Sequence, residues 1–330
     1  MNIIRYKWFW ITLSSLFVGA SILAYATFGL RLSADFTEGS LYEVQFDLPT
    51  NEAVVEAELT ESEATEATDS DAVTNLTVVT QERLREVIAA YVPAEGIDPI
   101  GSVEIKKSGE GHFTIRLRRL EPAASDAFLA YINSEAGSYE LTQSRDVSPT
   151  FAQTFRDRAL LALLVTTLMI ILYITFAFRK VSRGIKSWKL GFAAIVALAH
   201  DIIIIVGLFS LLGYYYQVEV DALFITALLS VMGFSVNDTI VVFDRLRENL
   251  FIQERGESFD KVANKSLNQT LARSINTSFS TFIVLSSLLI LGAQELYYFV
   301  LALILGVAVG TYSSIFLATP LLTIVRNQKD

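Results

Sequence analysis

Asp238 stands where a carboxylate is costly. It lies within Gly233-Phe234-Ser235-Val236-Asn237-Asp238-Thr239, inside an apolar run long enough to cross a bilayer, and the run ends in the charged segment Asp244-Arg245-Leu246-Arg247-Glu248. Ionisable groups at that depth mark proton, ion or substrate paths. At 1.5 Å per residue Asp238 sits roughly 8 Å inside the charged end of its run. Arg273 stands at the mouth of the next apolar run, at a similar depth on the other side of a charged stretch. The two therefore form a candidate pair. It is either a proton-exchanging couple or a static contact in which a snorkelling arginine positions helices. Ser235, Asn237, Thr239 and Asn276 are candidates to solvate the carboxylate, and equally to act as hydrogen-bonding glue between helices.

A second carboxylate, Asp201, lies deeper in another apolar run, next to His200. On a helix His200 projects roughly 100° away from Asp201. It is either a relay group active near neutral pH or a satisfied structural histidine. Gly306 and Gly310 are four residues apart in the last apolar run, and Gly233 opens the Asp238 stretch. These three are candidates for close helix packing.

Other chemistries fit less well. Two aspartates within spans invite an intramembrane aspartyl protease, but Asp238 follows Ser235-Val236-Asn237 and lacks the Gly-x-Gly-Asp element. The two histidines, His112 and His200, cannot make a His-Glu-x-x-His helix, and no phosphate-binding Gly-x-x-x-x-Gly-Lys-Ser/Thr loop is present. With no cysteine, thiolate catalysis, disulfides and cysteine-ligated metals are excluded. The sequence points to no enzyme, metal or cofactor.

The elements that position these groups are membrane helices. The chain has 330 residues, of which 52% are hydrophobic, and the apolar residues come in blocks. Six blocks of helical length read as spans: about 8–28, 159–178, 190–212, 221–243, 275–293 and 296–325. Each is close to or beyond the roughly 20 residues that cross a bilayer. The last is longer than needed, so it tilts or ends early near Pro320. Outside 31–158, every Lys and Arg falls in the amino terminus, 179–189, 245–273 or the carboxyl tail, which six spans place on one side. By the positive-inside rule that side is cytoplasmic. Both termini are then inside and 31–158 is outside. Segment 244–273 is charged and amphipathic, as expected of a helix along the cytoplasmic membrane face.

The outer segment 31–158 carries 24 acidic and 11 basic residues, which argues against nucleic-acid binding. Residues 49–75, rich in Glu, Ala, Thr, Asp and Ser, read as a flexible acidic loop. Around it the order is strand (Leu41–Phe46), helix (from a Thr80 cap), hairpin (Val103–Lys107 and His112–Leu120), helix (Ala123–Ser134), strand (Tyr139–Ser144). This β-α-β-β-α-β order predicts a ferredoxin-like α+β domain between the first and second of six transmembrane helices. The expected domains are therefore 1–30, 31–158 and 159–330.

Five stretches together resemble the SecF family of protein-export subunits, in the resistance-nodulation-division superfamily of proton-driven exporters. They are the elbow Leu32-Ser33-Ala34-Asp35-Phe36-Thr37-Glu38-Gly39, Ala199-His200-Asp201, Gly233 to Asn249, Asn268-Gln269-Thr270-Leu271-Ala272-Arg273-Ser274-Ile275-Asn276-Thr277, and Gly310-Thr311-Tyr312-Ser313-Ser314-Ile315-Phe316. The resemblance covers nearly the whole chain. It implies a multi-pass protein of the bacterial inner membrane that works beside SecD and the SecYEG translocon on a translocating preprotein. YidC and the SecA-driven machinery are further candidate partners. It also implies coupling to protons rather than to a cofactor, with Asp238 the responsive carboxylate and Arg273 its counterpart. Two rival readings remain at this stage: a self-sufficient exporter of small amphiphiles, and a structural brace that conducts nothing.

Overall fold

The computed structural model describes the chain except residues 1, 34, 38, 47–78, 93–102, 108, 110, 179–186, 254–256, 293–295 and 328–330. The acidic loop expected at 49–75 lies outside the described residues. The chain divides into two compact units, Met1–Ser33 with Arg156–Asp330, and Ala34–Phe155.

The first unit is helical. It contains α1 (Lys7–Phe28), α4 (Pro149–Ala177, entering from the second unit), α5 (Ser187–Tyr216), α6 (Ala222–Phe251), α7 (Phe259–Leu291), α8 (Tyr297–Ser313) and α9 (Thr319–Asn327). Among the described residues, six helical stretches are long and apolar enough to span a membrane, with Tyr297–Arg326 counted as one. The last of these runs on past Pro320, instead of stopping there. A π-type turn, Ser314–Ala318, precedes the proline and shifts the hydrogen-bond register just where an N–H is missing.

Two helices outrun the expected spans, and this revises the reading of 244–273. No separate helix of that segment lies along a surface among the described residues. Instead α6 continues to Phe251 and α7 starts at Phe259, so the charged stretch forms the end of a helical hairpin. The apolar stripe of the segment is spent inside that hairpin: Leu246, Leu250, Phe259, Val262, Ala263 and Leu267 are all buried in one cluster. Asn249 Nδ2 ties the two arms, donating to Ser266 Oγ and Gln269 Oε1, each at 2.8 Å. The amino terminus is fastened to the same end. Asn264 Oδ1 accepts from the Ile3 and Ile4 N–H groups at 2.8 and 3.3 Å, and Lys7 pairs with Asp260 at 2.9 Å.

Close approach between helices rests on small residues. A Cβ on Gly306 of α8 would lie 2.0 Å from Val231 Cγ2 of α6, and one on Gly207 of α5 would lie 2.3 Å from Ser21 Cβ of α1. Only glycine leaves room for these contacts.

The second unit holds β1 (Gly39–Phe46), α2 (Gln81–Ala90), β2 (Glu104–Lys107), β3 (His112–Leu117), α3 (Pro122–Ala136) and β4 (Tyr139–Val147). The sheet order is β2-β3-β1-β4, every pair antiparallel. This is the split arrangement that β-α-β-β-α-β connectivity produces. Tyr42, Val44, Phe46, Phe113 and Ile115 point to one face and bury against Leu84, Ile88, Phe128 and Ile132 of the helices. Thr80 caps α2 as its sequence predicts, accepting from Arg83 N–H at 3.2 Å. Gly39 starts β1 at φ 152°, with the place of its missing Cβ 2.6 Å from the Leu117 carbonyl oxygen.

Candidate functional site

The polar groups of the membrane-spanning helices gather where α5, α6, α7 and α8 meet. Their supports are local. Small hydroxyl residues within apolar helices bond back to the preceding turn and keep their oxygens tucked in. Thr239 Oγ1 donates to Ser235 O at 3.0 Å, Thr277 Oγ1 to Arg273 O at 3.0 Å, and Thr311 Oγ1 to Val307 O at 2.7 Å.

Asp201, on α5, is fully buried. Its Oδ2 accepts from Ser235 Oγ of α6 at 2.5 Å and from Ser313 Oγ of α8 at 2.8 Å. Its Oδ1 lies 2.9 Å from His200 Nδ1. One carboxylate thus joins three helices. His200 is buried too, stacked on Tyr312, and its Nε2 has no hydrogen-bond partner among the described residues. Tyr312 in turn shares a 3.1 Å hydrogen bond with Ser14 of α1.

Asp238 occupies a different setting. It is 9% exposed and accepts from Ser314 Oγ at 3.2 Å. Ser274 of α7 is buried, and its hydroxyl faces the same carboxylate. A polar groove of about 150 Å³ opens beside the carboxylate. Asn237, Thr277, Ser278, Thr281 and Thr311 supply its polar walls. Ser278 and Thr311 bond to each other at 2.5 Å and close one side.

The arrangement differs from the expected one at several residues. Asp238 makes no ion pair with Arg273 among the described residues. Arg273 is exposed, and the neighbour facing Asp238 is Ser274, about 100° round the helix. Arg273 lies one turn before Thr277 of the groove wall. Of the two roles open to Ser235 and Thr239, Ser235 takes the bonding between helices, donating to Asp201, while Thr239 donates to the Ser235 carbonyl of its own helix. Asn237 lies exposed in the groove wall, while Asn276 is exposed outside it. His200 does not turn away from Asp201. Its side-chain torsions bring Nδ1 back to the neighbouring carboxylate. Of the glycines, Gly306 and Gly310 sit at tight contacts, the latter 3.1 Å from Ser235 Cβ, but Gly233 faces open space with nothing within 4 Å.

The residues that sequence reasoning undervalued are Ser313 and Ser314, neighbours on the helix that serve different carboxylates. The signal available for α7 was the spacing of Ser274, Thr277, Ser278 and Thr281 within an apolar run, a hydroxyl stripe at helical period.

Comparison with known proteins completes the description. The family described as protein export membrane protein SecD/SecF, C-terminal, matches residues 128–328. A protein translocase subunit SecF of Thermobaculum terrenum is 37% identical over 328 residues, covering 99% of this chain and 95% of that protein. One from Anaerolinea thermophila is 35% identical, covering 97% and 92%. The crystal structure of SecDF, a translocon-associated membrane protein from Thermus thermophilus, superposes with a TM-score of 0.75 at 29% identity. The match covers 99% of this chain and 39% of that one, so this chain spans well under half of the solved SecDF polypeptide. The sequence likeness along almost its full length and the shared fold place this chain in the SecF family of protein-export membrane proteins.

Proposed function

We propose that this chain is a proton-coupled accessory subunit of preprotein export, working with SecD beside the SecYEG translocon in the bacterial inner membrane. The observation that carries the reading is Asp238: a carboxylate within a membrane-spanning helix, at the floor of a polar groove. A proton arriving through the groove neutralises it there. The Ser314 hydroxyl then bonds to a neutral acid rather than an anion, which is the weaker contact. Ser314 belongs to the π-type turn between α8 and α9, a part of the helix ladder whose register is already shifted. Protonation thus biases the packing of the last span against α6. Asp201, with three partners and no opening to the groove, serves as the fixed point about which α5, α6 and α8 are held. Protons are the only coupling species required, and no cofactor enters.

In this reading the basic ends of the helices lie in the cytoplasm, following the charge distribution, and Ala34–Phe155 is a ferredoxin-like periplasmic domain. Exposed Arg273 faces the partner subunit at the groove rim. SecA and YidC belong to the wider machinery.

The test replaces Asp238 with Asn in inverted membrane vesicles holding the complete export machinery. Gradient-driven preprotein uptake is expected to fall at least about ten-fold, with gradient-independent uptake retained. Unchanged gradient-driven uptake would refute the coupling role.

A further inference from the structure

Two chain connections join the helical unit to the second unit: the elbow that leads from Ser33 into Ala34, and α4, which crosses between Phe155 and Arg156. α4 is one continuous helix, but the half nearer the second unit meets little of the bundle, with Leu160, Leu161, Leu164 and Leu168 all exposed. The elbow is held differently. Gly29 ends α1 at φ 66°, and Ser210 Oγ of α5 donates to Ala24 O and Gly29 O at 3.0 and 2.6 Å. The residues that follow lie beside the loop before α6. Leu32 and Val220 form a parallel β-bridge, in which Val220 N–H donates to Arg31 O at 2.7 Å and Ser33 N–H donates to Val220 O at 2.9 Å.

Val220 stands directly before the cap of α6. Asp221 Oδ1 accepts from Phe224 N–H at 2.8 Å, so the bridge and the first turn of the helix are consecutive. From there α6 runs to Phe251 without a proline. Asp238 lies about 27 Å along it from Val220, at 1.5 Å per residue. The loop is shaped to hold Val220 in place. Gln217, at φ 58°, is the one non-glycine residue at positive φ among the described residues, a conformation that persists where the surrounding structure fixes it. Val218 and Val220 are both buried, and the place of a Cβ on Gly213 of α5 is 3.2 Å from Val218 O. Burial of Val220 keeps water from competing for the two main-chain bonds.

We infer that the Leu32↔Val220 bridge is a coupling link, through which a displacement of α6 is passed to the chain that enters the second unit. Coupling travels through contiguous packed and hydrogen-bonded contacts, and slack chain absorbs it. An unbroken helix moves its two ends together, and the bridge removes the slack at the end where the elbow leaves. The link stays closed throughout the cycle, unlike a latch, which works by opening. The inference rests on the proton-coupled reading and adds the route by which the helix bearing Asp238 reaches the other unit.

Full-length variants are assembled with the complete export machinery in inverted membrane vesicles, and gradient-driven and gradient-independent preprotein uptake are read separately. Ser33→Pro removes one donor of the bridge and suits the extended Leu32 before it. It is expected to lower gradient-driven uptake about three-fold or more, with gradient-independent uptake retained. The chain has no cysteine, so Leu32→Cys with Val220→Cys offers a single disulfide, between strands about 4.8 Å apart. Once oxidised, the cysteine pair should keep full gradient-driven uptake. In the Ser33→Pro chain it should restore that uptake, and a reductant should remove the gain. Should Ser33→Pro lower both kinds of uptake, the same oxidation decides: recovery of the gradient-driven part supports the link, and no recovery overturns it. Parent-level gradient-driven uptake in Ser33→Pro overturns the link as well. So does its loss in the oxidised pair, because the contact would then have to open. Asp238→Asn in the same vesicles separates the two readings. If it alone loses gradient-driven uptake, the link falls and the export reading stands; if neither variant does, both fall.

Discussion

At the scale of single residues, the two carboxylates divide the work by their surroundings. Asp201 has three partners from the side chains of His200, Ser235 and Ser313 and is fully buried. Removing it strands the Ser235 hydroxyl and the His200 imidazole inside the bundle and leaves Ser313 only the Gly310 carbonyl. Asp201→Ala is therefore expected to destabilise the membrane unit by about 3 kcal/mol or more. Thermal unfolding of the detergent-purified protein measures this. Asp238 faces two hydroxyls, of Ser314 and Ser274, and a groove, so Asp238→Asn, nearly equal in volume, is expected to leave the unfolding temperature within about 2 °C of the parent while abolishing gradient-driven export. A large loss of stability in Asp238→Asn would mean that this carboxylate, too, is structural. The presence of two costly carboxylates was legible in the sequence, because charge in an apolar run stands out. Their partners were not. Whether Ser235 reaches Asp201 or Asp238 depends on how far α5 and α6 slide past each other, a register that hydropathy does not encode. Whether Arg273 or Ser274 meets Asp238 depends on a rotation of α7 by one residue.

At the scale of elements, packing is set by a few close approaches. A methyl group at Gly306 meets Val231, and the helices must part or Val231 must turn. Gly306→Ala is expected to cost about 1–3 kcal/mol, as overpacked cores do, and Val231→Ala in the same chain should recover part of it. Gly233→Ala is the matched control: it adds a methyl in open space and improves helix propensity, so its unfolding temperature should not drop. The sequence offered both glycines as packing candidates; only the neighbouring helix distinguishes them. Strands and helices of the second unit were more legible, since alternation and the Thr80 cap act within one element. There Tyr139, on β4, donates to Leu129 O at 2.9 Å. Burial, with nearby Tyr42, raises its phenol above the usual 10.0. The folded state thus holds this proton more tightly than the unfolded chain. Its contribution is complete below pH 10 and is lost as pH rises past that value through the raised one. Alkaline titration of stability should show a shallower decline in Tyr139→Phe.

At the scale of the whole molecule, the groove beside Asp238 poses a solvation problem. A membrane-spanning surface facing hydrocarbon leaves polar groups without partners, which is costly enough that such surfaces are nearly all apolar. Most of the outward face of these helices obeys this, with Leu164, Leu168, Phe279, Val284 and Leu291 exposed. Around the groove it fails, where Asn237, Arg273 and Thr277 lie exposed on adjoining helices. Such a patch must meet water or another protein. The match to the SecDF structure covers 39% of that polypeptide, and under the proposed function the equivalent of the remainder supplies that cover as a separate SecD subunit. A bulky apolar side chain in the groove mouth tests this. Thr281→Trp projects into the groove from α7. It is expected to keep the unfolding temperature of the isolated chain while reducing recovery of SecD on affinity purification by several-fold. Equal recovery of SecD would show that the subunits join elsewhere, and the polar face would then have to open directly to water. Loss of SecD together with a large loss of stability would instead mark Thr281 as part of the bundle's own packing, and Asn237→Leu, on the facing helix, would then decide between the two covers.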